Sequence, residues 1–196
     1  STIIETIPSM MNAIRMVWII SRHYNTDERM VPLMERIATQ ISEKVQNEVN
    51  VNRILVHPPE HSKKLIQDAK EVLDSWQAQY YKVRQRIEDS GTHLRWEFDR
   101  KRLFEQTNYM AKICGDLYEV ATVLDQFQKF LGPELKAVTG ESDGIDDVIH
   151  QVERLAKPLE AVPFVIFDRK YRDSWVNAMT AFRQEVVNIE GKQKFS

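Results

Sequence analysis

Apolar residues recur every three or four positions along most of the chain, which is the spacing of amphipathic helices. One such stripe begins at Ile7 and continues through Ile14 to Trp18, and the next runs from Met30 to Val49. No segment alternates between apolar and polar residues for long enough to predict a sheet. The pattern therefore predicts an all-α fold, in which long antiparallel helices are joined by short connectors. The predicted helices cover residues 3–23, 27–49, 60–89, 96–131, 145–155 and 169–188.

Short polar residues and glycine mark the first helix boundaries. Asn25 or Thr26 is expected to cap the second helix, because its side-chain oxygen can accept hydrogen bonds from the free N–H groups of the first turn. Gly91 suits the left-handed backbone position that follows a helix, and it is expected to end the third one. Residues 50–62 contain two adjacent prolines and are expected to form a connector between these helices.

The fourth predicted helix has an unusual length. Gly132 followed by Pro133 is expected to stop it, since both residues are unfavourable inside a helix. At about 36 residues it would be about 54 Å long. We therefore expect either a bend near Gly115 or an elongated module.

Polar and proline-rich segments dominate the last third of the chain. Residues 139–144 are expected to be an acidic loop, and Pro158 and Pro163 are expected to bracket a linker. Residues 162–167 form the one β-like stretch, which Pro163 weakens.

Length and charge limit the classes of protein. We expect a helical bundle region over residues 1–157, followed by a linker and the start of the next bundle over residues 158–196. The chain begins with Ser1, and we interpret it as a piece of a longer polypeptide. The formal net charge is −2, from 27 basic and 29 acidic residues, so nucleic acid is not an expected partner. No apolar run approaches about 18 residues, so no membrane span is expected.

Two groups resemble reactive sites but have simpler explanations. His57 and His61 are four positions apart, as in zinc-binding helices, yet the two prolines after His57 exclude a continuous helix there. The one cysteine, Cys114, lies in an apolar helical stripe. We expect it to be a buried, unreactive thiol that forms no intramolecular disulfide.

Two charged segments could bind a partner. Glu141, Asp143, Asp146 and Asp147 do not have the spacing of a calcium loop, so a solvated loop before a helix start is favoured. Residues 96–102 mix aromatic and basic side chains, which can contact nucleic acid or a partner protein. Because acidic residues dilute their charge, a helix start with intramolecular salt bridges is favoured.

Known catalytic patterns are missing from the sequence. Neither GxxxxGK(S/T) nor GxGxxG occurs, and no Ser/His/Asp arrangement can be assigned. We therefore predict no catalytic, cofactor-binding or metal-binding residue. The pattern favours a non-catalytic helical scaffold, and a helical adaptor that bridges soluble partners is the alternative. A helical enzyme has no positive support.

Three strings of the sequence resemble the N-terminal tail region of dynein heavy chains. They are residues 17–30 (VWIISRHYNTDERM), 96–104 (WEFDRKRLF) and 130–140 (FLGPELKAVTG), and their order and separations also fit that family. They are closer to the axonemal heavy chains of cilia and flagella than to the cytoplasmic type. The part after about residue 158 resembles the family only loosely.

The resemblance implies a rod-like tail made of successive antiparallel helical bundles. It implies that the segment associates with other heavy chains, binds intermediate and light chains, and anchors the motor to docking proteins on the doublet microtubule of the axoneme. In that family ATP is hydrolysed in an AAA+ ring outside this segment, so no catalytic residue and no cofactor carry over. A cytoplasmic-type tail segment is the alternative within the family.

Overall fold

The computed structural model describes residues 3–138, 150, 153–160 and 166–194. These residues form helices and turns without any strand, which confirms the predicted all-α fold. Within them, no helix is both long and apolar enough to span a bilayer. The helices are α1 (Ile3–Ile20), α2 (Asp27–Glu48), α3 (Val51–Val56), α4 (Pro59–Asp89), α5 (Arg100–Val138), α6 (residues 153–160) and α7 (Arg172–Lys194), the last preceded by a 3-10 turn at Arg169–Tyr171.

The chain divides into two compact units that are interleaved along the sequence. Unit 1 combines Ser1–Glu48 with Gln67–Cys114, and unit 2 combines Val49–Ile66 with Gly115–Ser196. Helices α4 and α5 therefore each contribute residues to both units.

Unit 1 buries one stripe from each of its helices. The stripe of α1 advances by four, three and four residues, which keeps its members on one side of the helix. Burying one such large side chain stabilises a fold by about 1.5–3 kcal/mol. The buried residues include Ile7, Met11, Ile14 and Trp18 of α1, Met30, Met34, Ile41 and Val45 of α2, Leu73, Trp76 and Tyr80 of α4, Trp96 and Phe98 of the α4–α5 loop, and Leu103, Phe104 and Met110 of α5.

Unit 2 has a core of its own. Trp175 of α7 is its largest fully buried side chain, with 1% of its surface exposed. The short helix α3 contributes Ile54, and the turn before α7 contributes Ile166 and Phe167. The other buried apolar residues include Ile66, Leu117, Val120, Leu155, Leu159, Met179, Phe182 and Ile189.

The helix boundaries follow local hydrogen bonding. Thr26, one of the two predicted cap residues, directly precedes α2, and its backbone carbonyl accepts a 2.9 Å hydrogen bond from the amide of Met30. Gly91 has φ +67° after α4, which confirms the predicted left-handed position. Asp99 precedes α5, and its carboxylate accepts a 3.1 Å hydrogen bond from the amide of Lys101.

The connector predicted at residues 50–62 is wrong, because it contains all of α3 and the start of α4. Asn50 caps α3, since its side-chain oxygen accepts a 2.8 Å hydrogen bond from the amide of Arg53. Pro59 is the first residue of α4. A missing N–H has no helical partner to lose at that position, so the proline is tolerated there.

The boundaries predicted for the fourth helix are also wrong. Residues 96–99 are not helical, and α5 runs from Arg100 to Val138. Gly132 followed by Pro133 therefore lies inside α5 and does not stop it. Glycine and proline disfavour a helix interior by about 1 and 3 kcal/mol, which are preferences that tertiary context can override.

The fifth predicted helix extends further than expected. Residues 153–160 are helical, so this helix includes Pro158. The prediction that a linker begins at that proline is wrong. The organisation into residues 1–157 and 158–196 stays a prediction.

The last predicted helix, residues 169–188, is confirmed as the 3-10 turn and α7, which continues to Lys194. Ile166 and Phe167, the end of the β-like stretch, form a turn. The rest of that stretch, residues 162–165, and the acidic loop at 139–144 lie outside the described residues.

Candidate functional site

Five aromatic rings meet in unit 1, and we call them the aromatic cluster. They are Trp18 of α1, Tyr80 of α4, Trp96 and Phe98 of the α4–α5 loop, and Phe104 of α5. The centroid of Phe98 is 4.9 Å from that of Trp18 and 5.0 Å from that of Trp96, both in edge-to-face geometry. Such pairs contribute about 0.5–1.5 kcal/mol beyond the burial of their surface. The cluster thus joins three helices through a non-helical loop.

A buried hydrogen bond helps to hold this loop against α4. The backbone amide of Phe98 donates to the hydroxyl oxygen of Tyr80 at 3.0 Å, and both residues are buried. Burial raises the pKa of Tyr80 above its usual range. The Phe98 amide therefore has a side-chain acceptor in place of a helical carbonyl, which accounts for the late start of α5.

Ion pairs surround the cluster. The carboxylate of Glu97 forms a 3.0 Å ion pair with Arg84 and lies 4.0 Å from the guanidinium of Arg100. Arg102 binds both carboxylate oxygens of Glu35, with Nη2 to Oε2 at 3.0 Å, and this hydrogen bonding raises the pKa of Arg102. The interpretation of residues 96–102 as an intramolecular, salt-bridged helix start is confirmed in its salt bridges, although the helix itself begins later.

Unit 2 contains a polar contact between α5 and α7. The indole N–H of Trp175 donates to Asp116 at 2.8 Å. Arg183 donates to Glu119 at 2.8 Å and to Asp116 at 3.4 Å. The hydrogen bond with Glu119 raises the pKa of Arg183. A buried indole N–H and two carboxylates thus set how α7 lies against α5.

A second polar group in unit 2 surrounds a nearly buried carboxylate. The side chain of Asp125 is 12% exposed and lies 3.1 Å from Lys129 and 3.8 Å from Lys63. Glu60 lies 3.6 Å from Lys129, and Lys63 lies 5.5 Å from the ring centre of Tyr118. Two cations therefore offset the cost of burying one anion between α4 and α5.

The two candidates for chemistry differ in burial, because both histidines are exposed and the cysteine is buried. His57 follows α3 and His61 lies in α4, with ring centroids 5.7 Å apart. Among the described residues, no group of three or more His, Cys, Asp or Glu could hold a metal ion. Cys114 is fully buried, as predicted, and burial raises its pKa to about 12. The acidic group of Glu141, Asp143, Asp146 and Asp147 lies outside the described residues.

Two open clefts lie on unit 1. The larger, about 600 Å³, is lined by residues 92–97 together with Arg84 and Glu88. The smaller, about 370 Å³, lies between α2 and α5 beside the Glu35–Arg102 pair. Both are lined largely by polar side chains, and several of these are already engaged in the ion pairs described above.

The sequence comparison gives the family. Residues 1–194 match the family model "Dynein heavy chain, N-terminal region 1". The chain belongs to the dynein heavy chain family. This match confirms that the segment comes from the N-terminal region of a heavy chain and not from the AAA+ motor domain.

Known heavy chains match along nearly the whole segment. The human dynein axonemal heavy chain 10 is 48% identical over 94% of this chain. The dynein-1-alpha heavy chain of the flagellar inner arm I1 complex of Chlamydomonas reinhardtii is 45% identical over 96% of it. The dynein-1-beta heavy chain of the same complex is 25% identical over 96%. The chain spans about 4% of the length of these relatives.

Proposed function

We propose that the chain is a tail segment of an axonemal dynein heavy chain, a subunit of a microtubule motor in cilia or flagella. The alpha heavy chain of an inner arm is the type that the comparisons favour. The supporting observation is a difference in identity. The chain is 48% and 45% identical to the human chain 10 and the I1 alpha chain, but 25% to the I1 beta chain and 20% to the outer-arm gamma chain.

The proposed physical role is a non-catalytic scaffold that transmits force between the motor and its anchor. Helices α4 and α5 have 31 and 39 residues, which correspond to about 47 and 59 Å of continuous helix. Each is fastened to neighbouring helices by buried stripes and by ion pairs. A helix that packs against neighbouring helices resists bending better than an isolated one, so these helices suit a stiff tail.

The proposed partners are intermediate chains, light chains, other heavy chains and docking proteins of the doublet microtubule. Resemblance to the tail region supports this set, and the net charge of −2 favours protein partners over nucleic acid. We propose that the segment itself binds no cofactor, and that ATP is used by a motor domain elsewhere in the heavy chain. The proposed location is the axoneme, as part of the cytoskeleton.

Loss of the gene in a ciliated cell tests this proposal. Cryo-electron tomography of the axonemes should show a missing inner-arm density and intact outer arms. A rescuing copy with a tag beside this segment should restore the density and place the tag in the tail. Intact inner arms, or a tag found in the AAA+ ring, would contradict the proposal.

Two cheaper measurements separate the alternatives. The gene downstream of this segment should encode repeated AAA+ modules with phosphate-binding loops, whereas a helical adaptor would lack them. The purified 196-residue segment should show no ATP turnover above a buffer control. Measurable turnover that is lost with a point substitution in this segment would revive an enzymatic function.

A further inference from the structure

Helix α1 carries a second apolar face in addition to its buried stripe. Met16, Ile19 and Ile20 are 40%, 43% and 67% exposed. Residues at positions i, i+3 and i+4 lie on one side of a helix, so these three form a continuous surface. Ala13, which is also exposed, extends this surface by one turn. We call these four residues the α1 ridge.

The α1 ridge is separate from the side of α1 that packs into the core. The opposite side of α1 buries Ile7, Met11, Ile14 and Trp18, of which Trp18 belongs to the aromatic cluster. A helix at the surface of an isolated protein usually has one apolar and one polar face. A helix with apolar residues on both sides is usually covered on both sides. The α1 ridge therefore has the composition of a contact surface.

Positive charge surrounds the ridge. Arg15 lies between Ala13 and Met16 in the sequence, Arg22 follows the ridge, and no carboxylate occurs over residues 6–26. Arg29 lies close in space, because its guanidinium donates to the carbonyl of His23 at 3.0 Å. Across the described residues, no carboxylate lies within ion-pair distance of these three arginines. Asp27 and Glu28, the nearest acidic residues in sequence, begin α2.

We propose that the α1 ridge is a docking site for an acidic amphipathic helix of another polypeptide. The apolar face of such a helix, at positions i, i+3, i+4 and i+7, would pack over Met16, Ile19 and Ile20. Its flanking Asp or Glu residues would lie against Arg15 and Arg22. This docking site deepens the proposed function. It rests on that function in one respect, which is that the partner is a subunit held by the tail.

Charge decides between this partner and the other possible occupants. A second copy of the same face would bring arginine against arginine, which is unfavourable across an interface. An anionic lipid surface would match the charge. However, an interfacial helix presents a long apolar face to lipid, whereas the larger apolar face of α1 is already buried in unit 1. An acidic amphipathic helix has a charge opposite to that of the arginines, and its apolar face is narrow enough to match the ridge.

Photo-cross-linking tests the site in the intact protein. A photoreactive benzoylphenylalanine replaces Ile20 in the full-length heavy chain, which is purified with its bound subunits. Ile20 is largely exposed, so the fold should tolerate the replacement. The cross-linked peptide, read by mass spectrometry, should be a segment of another chain with helical apolar spacing and flanking carboxylates. The same probe at Gln40, an exposed position of α2, is the matched control and should not give this product.

Charge exchange gives the second test. Arg22→Glu should lower the yield of the Ile20 cross-link about tenfold, and acidic-to-Arg substitution in the identified partner segment should restore most of it. The Gln40→Glu control should leave the yield unchanged.

Several outcomes would overturn the inference. They are the absence of a cross-link from position 20, a cross-linked segment without acidic residues, a second copy of α1 as the partner, and an unchanged yield in the Arg22→Glu protein. Binding of the heavy chain to phosphatidylserine vesicles that is lost with Arg22→Glu, without a protein cross-link, would assign the ridge to lipid. Because these tests use the purified heavy chain, they can fail while the axonemal location holds, and the reverse is also true.

Discussion

Replacing Tyr80 by Phe would remove one oxygen atom from the aromatic cluster and leave every ring in place. That oxygen accepts the 3.0 Å hydrogen bond from the amide of Phe98. Tyr80 is 0% exposed and Phe98 is 4% exposed, so bulk water cannot readily replace the lost acceptor. A buried donor left without its partner costs about 1–3 kcal/mol. We expect the free energy of unfolding to fall by that amount.

Chemical denaturation of the 196-residue chain measures this change. Urea titrations followed by far-ultraviolet circular dichroism should show a lower midpoint with an unchanged slope. A chain of this length should lose about 2–4 °C of melting temperature for each kcal/mol. Hydrogen exchange adds a local readout, because the Phe98 amide should exchange faster in the variant.

Tyr24→Phe is the matched control. Tyr24 is half-buried, and its hydroxyl has no hydrogen-bond partner within the described part of the chain. Its removal should change the stability by less than about 0.5 kcal/mol. If Tyr80→Phe had the stability of the unmodified chain and the Phe98 amide stayed protected, the proposed role of this hydrogen bond would be refuted.

Three further predictions concern glycine, cysteine and aspartate positions. Gly115→Ala inside α5 should stabilise the chain by about 0.5–1 kcal/mol in urea titrations, because the added Cβ would meet no described atom within 4 Å. Gly91→Ala, at φ +67°, should destabilise it by about 1 kcal/mol, so changes of equal sign in the two variants would contradict one of these predictions. Cys114 should react with a thiol reagent only after unfolding. Stability should fall as pH rises above 9, because the unfolded thiol ionises near 9.0 and the folded one near 12. Cys114→Ala should remove the part of the fall that begins at pH 9. Asp116→Ala should lower the thermal stability by about 1–3 kcal/mol, since it leaves the indole N–H of Trp175 unpaired, and an unchanged melting curve would contradict this.

Continuous stripes made the long helices predictable. Helix α4 was expected over residues 60–89 and is found at Pro59–Asp89, since its apolar residues repeat without a gap and Gly91 follows it. Periodicity alone does not tell which of two adjacent apolar residues is the buried one. Leu65 and Ile66 both fit a step of three or four residues to Ala69, and Ile66 is the one that is buried. The bend predicted near Gly115 stays a prediction.

Features that depend on distant contacts could not be read from local spacing. Helix α3 has six residues, which is too short for a recognisable period. Trp96 and Phe98 continue the apolar pattern of α5, but contacts with Trp18 and Tyr80 hold them outside the helix.

The ion pairs between helices also depend on contacts between residues that are far apart in the sequence. Glu35 and Arg102 are 67 positions apart, and so are Asp116 and Arg183. No spacing rule brings such residues together. The resemblance was informative where the pattern was not, because residues 17–30 and 96–104 supply four of the five rings in the aromatic cluster.

The interleaving of the two units has a consequence for how the segment is made and inherited. During synthesis, unit 1 stays incomplete until residue 114 has emerged. At that point Val49–Ile66 has also emerged, but the rest of its unit, Gly115–Ser196, has not. No single cut in the chain releases either unit intact. At the level of the gene, a recombination point inside codons 49–114 would therefore split both units at once. The segment should consequently be exchanged between heavy chains as one block.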